Sequence, residues 1–140
     1  MPAGRYFRQQ VVLAWIQGDA PPTPPASVWL HLATSAPTAT APGTAPTIGS
    51  YLPIEIEPAD WAAISEAANL DTLSPSGAIT FPAAGTFGAG SNETATHAML
   101  MDGSNPATAE IIAYGALASS RLMTTGGNVV IGAGDLDLTA

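Results

Sequence analysis

The sequence predicts an all-β protein, an antiparallel β-sandwich of jelly-roll or Greek-key type that carries one helix at its N-terminal end. The 140 residues include 14 glycines and 13 prolines, an excess that favours many short elements joined by turns. Hydrophobic residues make up 46% of the chain, which is enough for one core in a domain of this length. The last third of the chain alternates short apolar runs with turn residues, as an antiparallel meander does.

The first predicted element is a helix, Gly4–Gln17, that ends at Gly18, a residue suited to the left-handed conformation that follows a helix. Its apolar residues form one stripe at helical spacing, and further apolar residues widen the stripe until the second half is apolar almost all round. The stripe consists of Phe7, Val11, Ala14 and Trp15, and the widening residues are Val12, Leu13 and Ile16. Such a helix is buried either on its own sheet or against another subunit, and the sequence leaves both alternatives open.

The helix is followed by a proline-rich segment, Asp19–Ala26, that favours an extended polyproline II spacer. We therefore divide the chain into an arm, residues 1–26, and a β-domain, residues 27–140. The spacer is able to hold the helix away from the β-domain, and the arginines of the first helical turns suit an acidic partner surface. The arm residues expected to contact a partner are Arg5, Phe7, Arg8, Val11, Trp15 and Ile16.

Six strands are predicted in the β-domain from alternating or continuous short apolar runs. They are Ser27–Leu32, Ser50–Glu57, Ile79–Phe81, Thr96–Met101, Glu110–Leu117 and Asn128–Leu138, the last three forming the meander. In the second strand, alternation points Leu52 inward and Tyr51 outward, and a proline inside the run predicts an edge strand. Residues 58–68 fit either a short helix or a bulged strand.

The charge of the chain excludes several classes of function. It contains no lysine and three arginines against 11 acidic residues, which gives a net charge of −8. Such a field repels phosphate backbones, so we expect no nucleic-acid partner. The longest apolar run, Val11–Ile16, is too short to span a bilayer, and the first residues lack the features of a signal peptide, so we expect no membrane partner. Cysteine is absent, which excludes disulfides and thiolate metal sites.

The two histidines, His31 and His97, are the residues most open to a catalytic or metal-binding interpretation. No second ligand lies at metal-site spacing from either, so each is expected to be a packing residue, half-exposed in the case of His31. No nucleophile elbow or metalloprotease motif occurs, and a phosphate-binding loop is impossible without lysine. We therefore expect no catalytic residue, no cofactor and no enzymatic activity.

Two pairs of carboxylates, Glu55 with Glu57 and Asp135 with Asp137, are predicted to point the same way along their strands. Paired carboxylates are able to bind Ca²⁺ or to act as acid and base. Solvent-facing strand positions are polar in any case, so the pairs are expected to be surface residues. The turn at 102–105 lacks the spaced acidic ligands of a calcium loop and predicts a hairpin. No metal site is expected.

The order of short motifs resembles a family of small tailed-phage virion proteins commonly described as tail-fibre proteins. The similarity covers about residues 28–138, with the arm as a variable front end. It is carried by Val28–Leu32, Pro37-Thr38, Gly49–Tyr51, Trp61, Ile79–Ala83, Phe87-Gly88, Thr96-His97, Met101-Asp102, Tyr114–Leu117 and Ala133–Leu136. The chain departs from the family pattern at Leu52, Phe87 and Gly127-Asn128, where the family usually has arginine, tryptophan and Gly-Asp.

The resemblance implies a non-enzymatic structural subunit on the surface of a phage particle. A fibre needs length from repeats or a coiled coil, and this chain has neither, so we expect a capsid decoration (cement) protein. The alternatives are a tail-fibre or tail adaptor protein and a carbohydrate-binding module in which Trp29 and Trp61 stack on sugars. The expected partners are other virion proteins, the major capsid protein or tail proteins, and further copies of the chain, a trimer being one candidate.

Overall fold

The computed structural model describes residues 4–5, 8–20, 23–67, 70–136 and 138–139, and it confirms the all-β class. The strands of this described part are all paired antiparallel, and its helical segments are short. In chain order the strands are β1 Val28–Ala33, β2 Ile54–Ile56, β3 Ser65–Ala67, β4 Leu70–Leu73, β5 Ile79–Phe81, β6 Glu93–Met101, β7 Ile111–Met123, β8 Val129–Ile131 and β9 Leu138–Thr139.

The largest sheet has four strands in the order β2-β1-β6-β7. Its centre is the pair β1 and β6, in register so that Leu30 lies opposite Leu100 and Leu32 opposite Ala98. These residues are buried, as expected for a central strand that is apolar on both faces. β2 forms one edge of the sheet, which confirms the edge strand predicted from Pro53, and β7 forms the other edge.

The predicted meander is correct for its first two strands and wrong for the third. β6 and β7 form a hairpin, but β8 pairs with β5 in a separate two-stranded ribbon. The turn after β7 explains the change of sheet, because it binds the loop that carries Phe87. Phe87 N donates to Gly127 O at 2.8 Å and Gly126 N donates to Phe87 O at 2.8 Å. The chain therefore crosses to the ribbon instead of continuing the sheet.

One hydrophobic core joins the four-stranded sheet to the ribbon. The two contribute side chains to a single cluster, which also takes up residues from the connecting loops. Its largest fully buried members are Leu30, Leu32, Phe81, Phe87, Leu100, Met123, Ile131 and Leu136. The remaining strands form a small sheet in the order β3-β4-β9. A complete sandwich of two full sheets stays a prediction.

The opposite face of the four-stranded sheet is apolar as well, and a second cluster covers it. The cluster consists of Ala33, Met99, Met101 and Ile111, with Ala109 and Tyr114 packed against it. His31 lies on this face and is 2% exposed, so the expectation of a half-exposed side chain was wrong. The β6–β7 loop folds over the sheet here and places Gly103 O 2.9 Å from His31 Nε2, which satisfies the buried ring.

Residues 50–61 also differ from the alternation pattern. Leu52 is 70% exposed, whereas Tyr51 turns inward and its ring stacks on Phe81 with centroids 6.0 Å apart. Strand geometry begins only at Ile54, so period-two alternation does not apply to the residues before it. After β2 the chain makes a 3-10 turn, Pro58–Asp60, before reaching β3. Of the segment predicted as a short helix or a bulged strand, the described residues 58–67 therefore combine a helical turn with a strand, and residue 68 lies outside the described part.

Candidate protein-interaction surface

The arm is attached to the β-domain at its first described residue, Gly4. This glycine is buried, and its amide donates to Ile112 O at 2.6 Å, on the outer edge of β7. Arg5 N donates to Ala39 O at 3.0 Å beside it. A Cβ on residue 4 would collide with the Ile111 carbonyl, whose carbon would lie 2.6 Å away. Only glycine permits this close approach of two backbones.

The helical segment of the arm begins as a π-type turn, Arg8–Leu13, and continues as an α-helical turn, Ala14–Ile16. It ends as predicted at Gly18, whose φ of 82° is left-handed. Gly18 N donates to Trp15 O at 3.1 Å and Asp19 N donates to Ala14 O at 2.9 Å, the two bonds of a Schellman motif. The helix end is therefore set by local hydrogen bonds, without help from the β-domain.

The apolar side chains of this segment are exposed. The exposed fractions are 43% for Val12, 50% for Leu13, 71% for Trp15 and 77% for Ile16. Val12 lies three and four residues before Trp15 and Ile16, and Leu13 lies three residues before Ile16, so the four side chains are neighbours on the helical segment. We call these four residues the apolar face. The helix was predicted to be buried either on its own sheet or against another subunit. The exposure of the apolar face shows that this face is not packed on its own sheet.

The candidate residues of the arm have different positions. Trp15 and Ile16 lie on the apolar face, and Val11 is half-buried. Arg5 is exposed, and its Nε donates to Gln9 Oε1 at 3.0 Å, four residues along the chain. Phe7 and the side chain of Arg8 lie outside the described part of the structure. Val12 and Leu13 were not among the candidates, although the helical spacing of Val12 with Trp15 and Ile16 would have indicated them.

Both ends of the arm lie at the same end of the four-stranded sheet. Gly4 contacts the first residues of β7, and Ile111 of β7 pairs with Met101, which in turn pairs with Trp29 near the start of β1. At the other end of the arm, Ser27 Oγ donates to a carboxylate oxygen of Glu55. β7 and β1 are separated only by β6, roughly 10 Å in all. The arm therefore leaves the sheet and returns to it at the same end. Its residues 15–20 and 23–26 are exposed.

Charge is divided unequally between the arm and the β-domain. Arg5 and Arg8 outnumber Asp19 in the arm, whereas every other acidic residue lies in the β-domain. The one arginine of the β-domain, Arg121, donates to Asp135 Oδ2 at 2.9 Å. Asp135 Oδ2 also accepts from Gly132 N at 3.0 Å, so this ion pair ties β7 to the 3-10 turn Ala133–Asp135. The arm therefore carries two of the three arginines of the chain and only one of its 11 acidic residues.

A family model described as podophage GP4 fiber I protein gp80 matches residues 3–139. The chain belongs to this family. No curated protein matches it.

Family membership confirms the resemblance to tail-fibre proteins and makes the chain a structural component of a phage particle. The fibre alternative agrees with the family description, which does not specifically support capsid decoration. Among the described residues, no helix has the length and apolar character needed to cross a bilayer.

Several titratable residues of this fibre-family chain take part in local structural contacts. Burial lowers the pKa of His31, and its hydrogen bond to Gly103 opposes that effect. Burial also raises the pKa of Tyr51 to about 12, against the effect of its bond to Leu32. Glu57 and Asp60 form the capping box of the 3-10 turn Pro58–Asp60. Within the part of the chain that the structure describes, no three His, Asp or Glu side chains are grouped as metal ligands.

Of the two tryptophans considered for sugar stacking, neither presents a free ring face comparable to that of Trp15. Trp29 is half-buried on β1, and Trp61 is half-buried and packs against the core. Trp15, which was considered only as an interface residue, is the more exposed aromatic side chain. The arm therefore presents a more exposed aromatic side chain than either of the tryptophans considered for sugar stacking.

Proposed function

We propose that this protein is a non-enzymatic fibre-type virion subunit that is held in the particle by its arm. The observation that carries the proposal is the apolar face, exposed on an arm whose Gly4 is hydrogen-bonded to β7. Monomeric proteins rarely leave a contiguous group of large apolar side chains in water unless the group contacts a partner. A family of phage fibre proteins supplies the context in which such a partner is another virion protein.

The energetics of this contact favour assembly in many copies. Full burial of each large side chain of the apolar face contributes about 1.5–3 kcal/mol. Association costs about 4–15 kcal/mol in lost freedom, so one arm alone makes a modest contact. Several copies bound side by side multiply that contact through their effective concentration.

The experiment that tests the proposal is incorporation of variants into phage particles. We expect Trp15→Glu with Ile16→Glu to reduce incorporation at least tenfold, because two charges on the apolar face cannot be buried against a partner. Leu52→Glu is the matched control, since Leu52 is as exposed, at 70%, but lies in the β-domain. Equal incorporation of the arm variant and wild type would refute the docking role.

Capsid decoration is the second candidate, and the compactness of the chain favours it. The longest described strand has 13 residues, and the chain has no repeat or heptad pattern from which a shaft could be built. The family description favours the fibre placement instead. Antibody labelling of intact particles distinguishes the two, because label on the tail supports the fibre subunit and label over the head supports decoration.

The absence of catalysis is part of the proposal and is supported by what the titratable groups contact. His31 is buried and bonded to a backbone carbonyl, and Tyr51 is bonded to the backbone of Leu32. A carbohydrate-binding module is the weaker alternative, since Trp29 and Trp61 are half-buried. Glycan-array binding that is lost in Trp61→Ala but kept in Trp15→Ala would support it over arm docking.

A further inference from the structure

A groove of about 290 Å³ lies between β2, at the edge of the four-stranded sheet, and β5 of the ribbon. We call it the β2–β5 groove, and it is lined by the three residues of β2, by residues 75–80, and by Asp60 and Ala83. Ile56 is buried, and Ile54 and Ile79 are half-buried and pack against the core. The apolar lining of the groove is therefore part of the core of the β-domain.

Both strands that border the groove have an unpaired side. In the described part of the chain, β2 pairs only with β1, and β5 pairs only with β8. Residues 54–56 and 78–80 make no further backbone hydrogen bond to the described residues. The free side of a strand presents a row of N–H and C=O groups that a further strand is able to pair with.

An extended peptide fits these features, because its backbone offers the alternating donors and acceptors that a free strand edge lacks. A helix uses its backbone groups internally and leaves such an edge unpaired. The alternation of β2 also sets the side chains of an added strand. Ile54 and Ile56 are directed to the core and Glu55 to solvent, so every second side chain of the added strand lies over the isoleucines.

The paired stretch is short and its selection does not depend on charge. Pro53 and Pro58 lack an N–H group and lie on either side of β2, which limits an added strand to about three paired residues. Glu55 and Asp60 already accept hydrogen bonds from Ser27 Oγ and Glu57 N. The preferred sequence is therefore defined by apolar residues at alternate positions, with polar residues between them.

The described residues of this chain contain no exposed extended segment with that pattern. The exposed large apolar side chains of the arm lie on its helical segment. Those of the β-domain stand singly in the sequence, at Leu52, Ile64, Leu122 and Val130. A second copy therefore offers no matching strand in its described part, and the occupant is a different protein.

We propose that the β2–β5 groove binds an extended segment of a different protein by strand addition. The segment forms backbone hydrogen bonds with β2 and places alternate apolar side chains between Ile54 and Ile79. This surface is separate from the apolar face of the arm, so the inference goes beyond the proposed function and does not rest on it.

The first experiment titrates the full-length chain into a short, capped, dye-labelled peptide of alternating valine and threonine and follows fluorescence anisotropy. We expect saturable binding at concentrations below about 1 mM. The control is the same peptide methylated at every backbone nitrogen, which keeps the side chains and removes the N–H donors. Its binding should be at least tenfold weaker, and equal binding of the two peptides would overturn strand addition.

The second experiment blocks the groove. Gly77→Trp is expected to weaken binding of the valine–threonine peptide at least tenfold, because residue 77 lines the groove and has open space for a side chain. Gly134→Trp is the matched control, with equal space at a position that does not line the groove, and its effect should stay within twofold.

Ala83→Trp provides an independent block at an exposed position of the lining, and it decides the test if urea denaturation shows that Gly77→Trp is not folded. Unchanged peptide binding in a folded groove variant would overturn the proposal.

The third experiment locates the added strand by hydrogen exchange with mass spectrometry. The valine–threonine peptide should slow amide exchange in residues 54–56 and 78–80. The outer edge of β7 is the internal control, because it is the other edge of the four-stranded sheet and does not line the groove. Slowing confined to residues 114–122 of β7 would show that the peptide adds to the wrong edge and would reject the groove as the acceptor.

These outcomes are distinguishable from those of the proposed function. A chain that binds no peptide at about 1 mM overturns strand addition, whereas the docking role of the arm is decided by incorporation of the Trp15→Glu, Ile16→Glu variant into particles. If that variant enters particles normally, the arm proposal fails and peptide binding in the groove is unaffected.

Discussion

The arm and the β-domain contain the same kinds of apolar residue, but these side chains are exposed in the arm and buried in the β-domain. In β1 and β6, leucines at alternating positions are buried between the sheet and the ribbon, and Leu30 and Leu100 are at most 1% exposed. In the arm, Leu13 and Ile16 are 50% and 77% exposed. The difference arises because the sheet and the ribbon of the β-domain pack on a common core, whereas the arm contacts the β-domain mainly at its two ends.

This contrast indicates what each region does. Burial in the β-domain is complete within one chain, so its strands supply folding stability. The apolar face is exposed in the chain by itself, so in the proposed function the free energy of its burial is available for assembly. Substitutions in the core of the β-domain should therefore lower the free energy of unfolding, whereas substitutions in the apolar face should leave it nearly unchanged.

The largest expected effect on unfolding comes from the centre of the β-domain. Leu100→Ala removes a side chain that is 1% exposed in the core, and we expect it to lower the free energy of unfolding by about 2–5 kcal/mol. Leu122→Ala is the matched control, because Leu122 is 59% exposed on β7, and its effect should stay within about 0.5 kcal/mol. Urea denaturation measures both. Similar losses in the two variants would contradict the assigned core.

The next effect concerns Tyr51, which completes the edge of β1 where β2 no longer pairs. Its hydroxyl accepts from Leu32 N at 2.8 Å and donates to Leu32 O at 3.3 Å. Tyr51→Phe leaves both backbone groups without this partner, so we expect a loss of about 1–3 kcal/mol. Tyr114→Phe is the control, since the Tyr114 hydroxyl has no hydrogen bond to the described residues. Equal losses would show that the ring matters and the hydroxyl does not.

Tyr51 also predicts a loss of stability in alkali. Burial raises its pKa to about 12, above the usual value of 10.0. The unfolded chain therefore releases this proton first, and the free energy of unfolding falls as the pH rises from about 10 towards 12. Urea denaturation at several alkaline pH values should show a shallower fall for Tyr51→Phe than for wild type. Parallel curves would contradict the raised pKa.

His31 predicts a pH dependence at the acidic side. Burial lowers its pKa below the usual 6.5, so the unfolded chain takes up a proton that the folded chain does not. The free energy of unfolding therefore falls as the pH drops below about 6.5, until the folded pKa is passed. We expect His31→Gln to change the free energy of unfolding only modestly at pH 7.5 and to flatten this fall between pH 7 and 5. His97→Gln keeps His31 and should keep the fall, and a flattening there instead would refute the assignment.

The sequence predicted those features of the fold that depend on neighbouring residues. The apolar run before residue 33 specified β1, Ile79–Phe81 specified β5, and Gly18 specified the helix end. Local patterns carry no information on which strand pairs with which over long separations. The pairing of β8 with β5 was therefore missed, as was the inward turn of Tyr51, which lies before the strand begins.

The candidate site was predicted in kind but not in detail. Helical spacing identified an apolar helix that needs a covering surface, but spacing does not say whether that surface belongs to the same chain. The exposure of Trp15 and Ile16 answers this for the isolated chain. Gly4 was missed as the anchor, because its role comes from contact with Ile111 and Ile112, far away in sequence.

The smallest expected effect on the free energy of unfolding comes from the arm itself. Trp15 is 71% exposed, so Trp15→Phe should change the free energy of unfolding by no more than about 0.5 kcal/mol. In dilute solution the same variant should lose the tryptophan emission that is red-shifted and readily quenched by acrylamide, because Trp29 and Trp61 are half-buried. Trp61→Phe should instead lower stability, since Trp61 packs against the core. If Trp15→Phe proved as destabilising as Trp61→Phe, the arm would be packed on its own β-domain, and its apolar face would not be free to bind a partner.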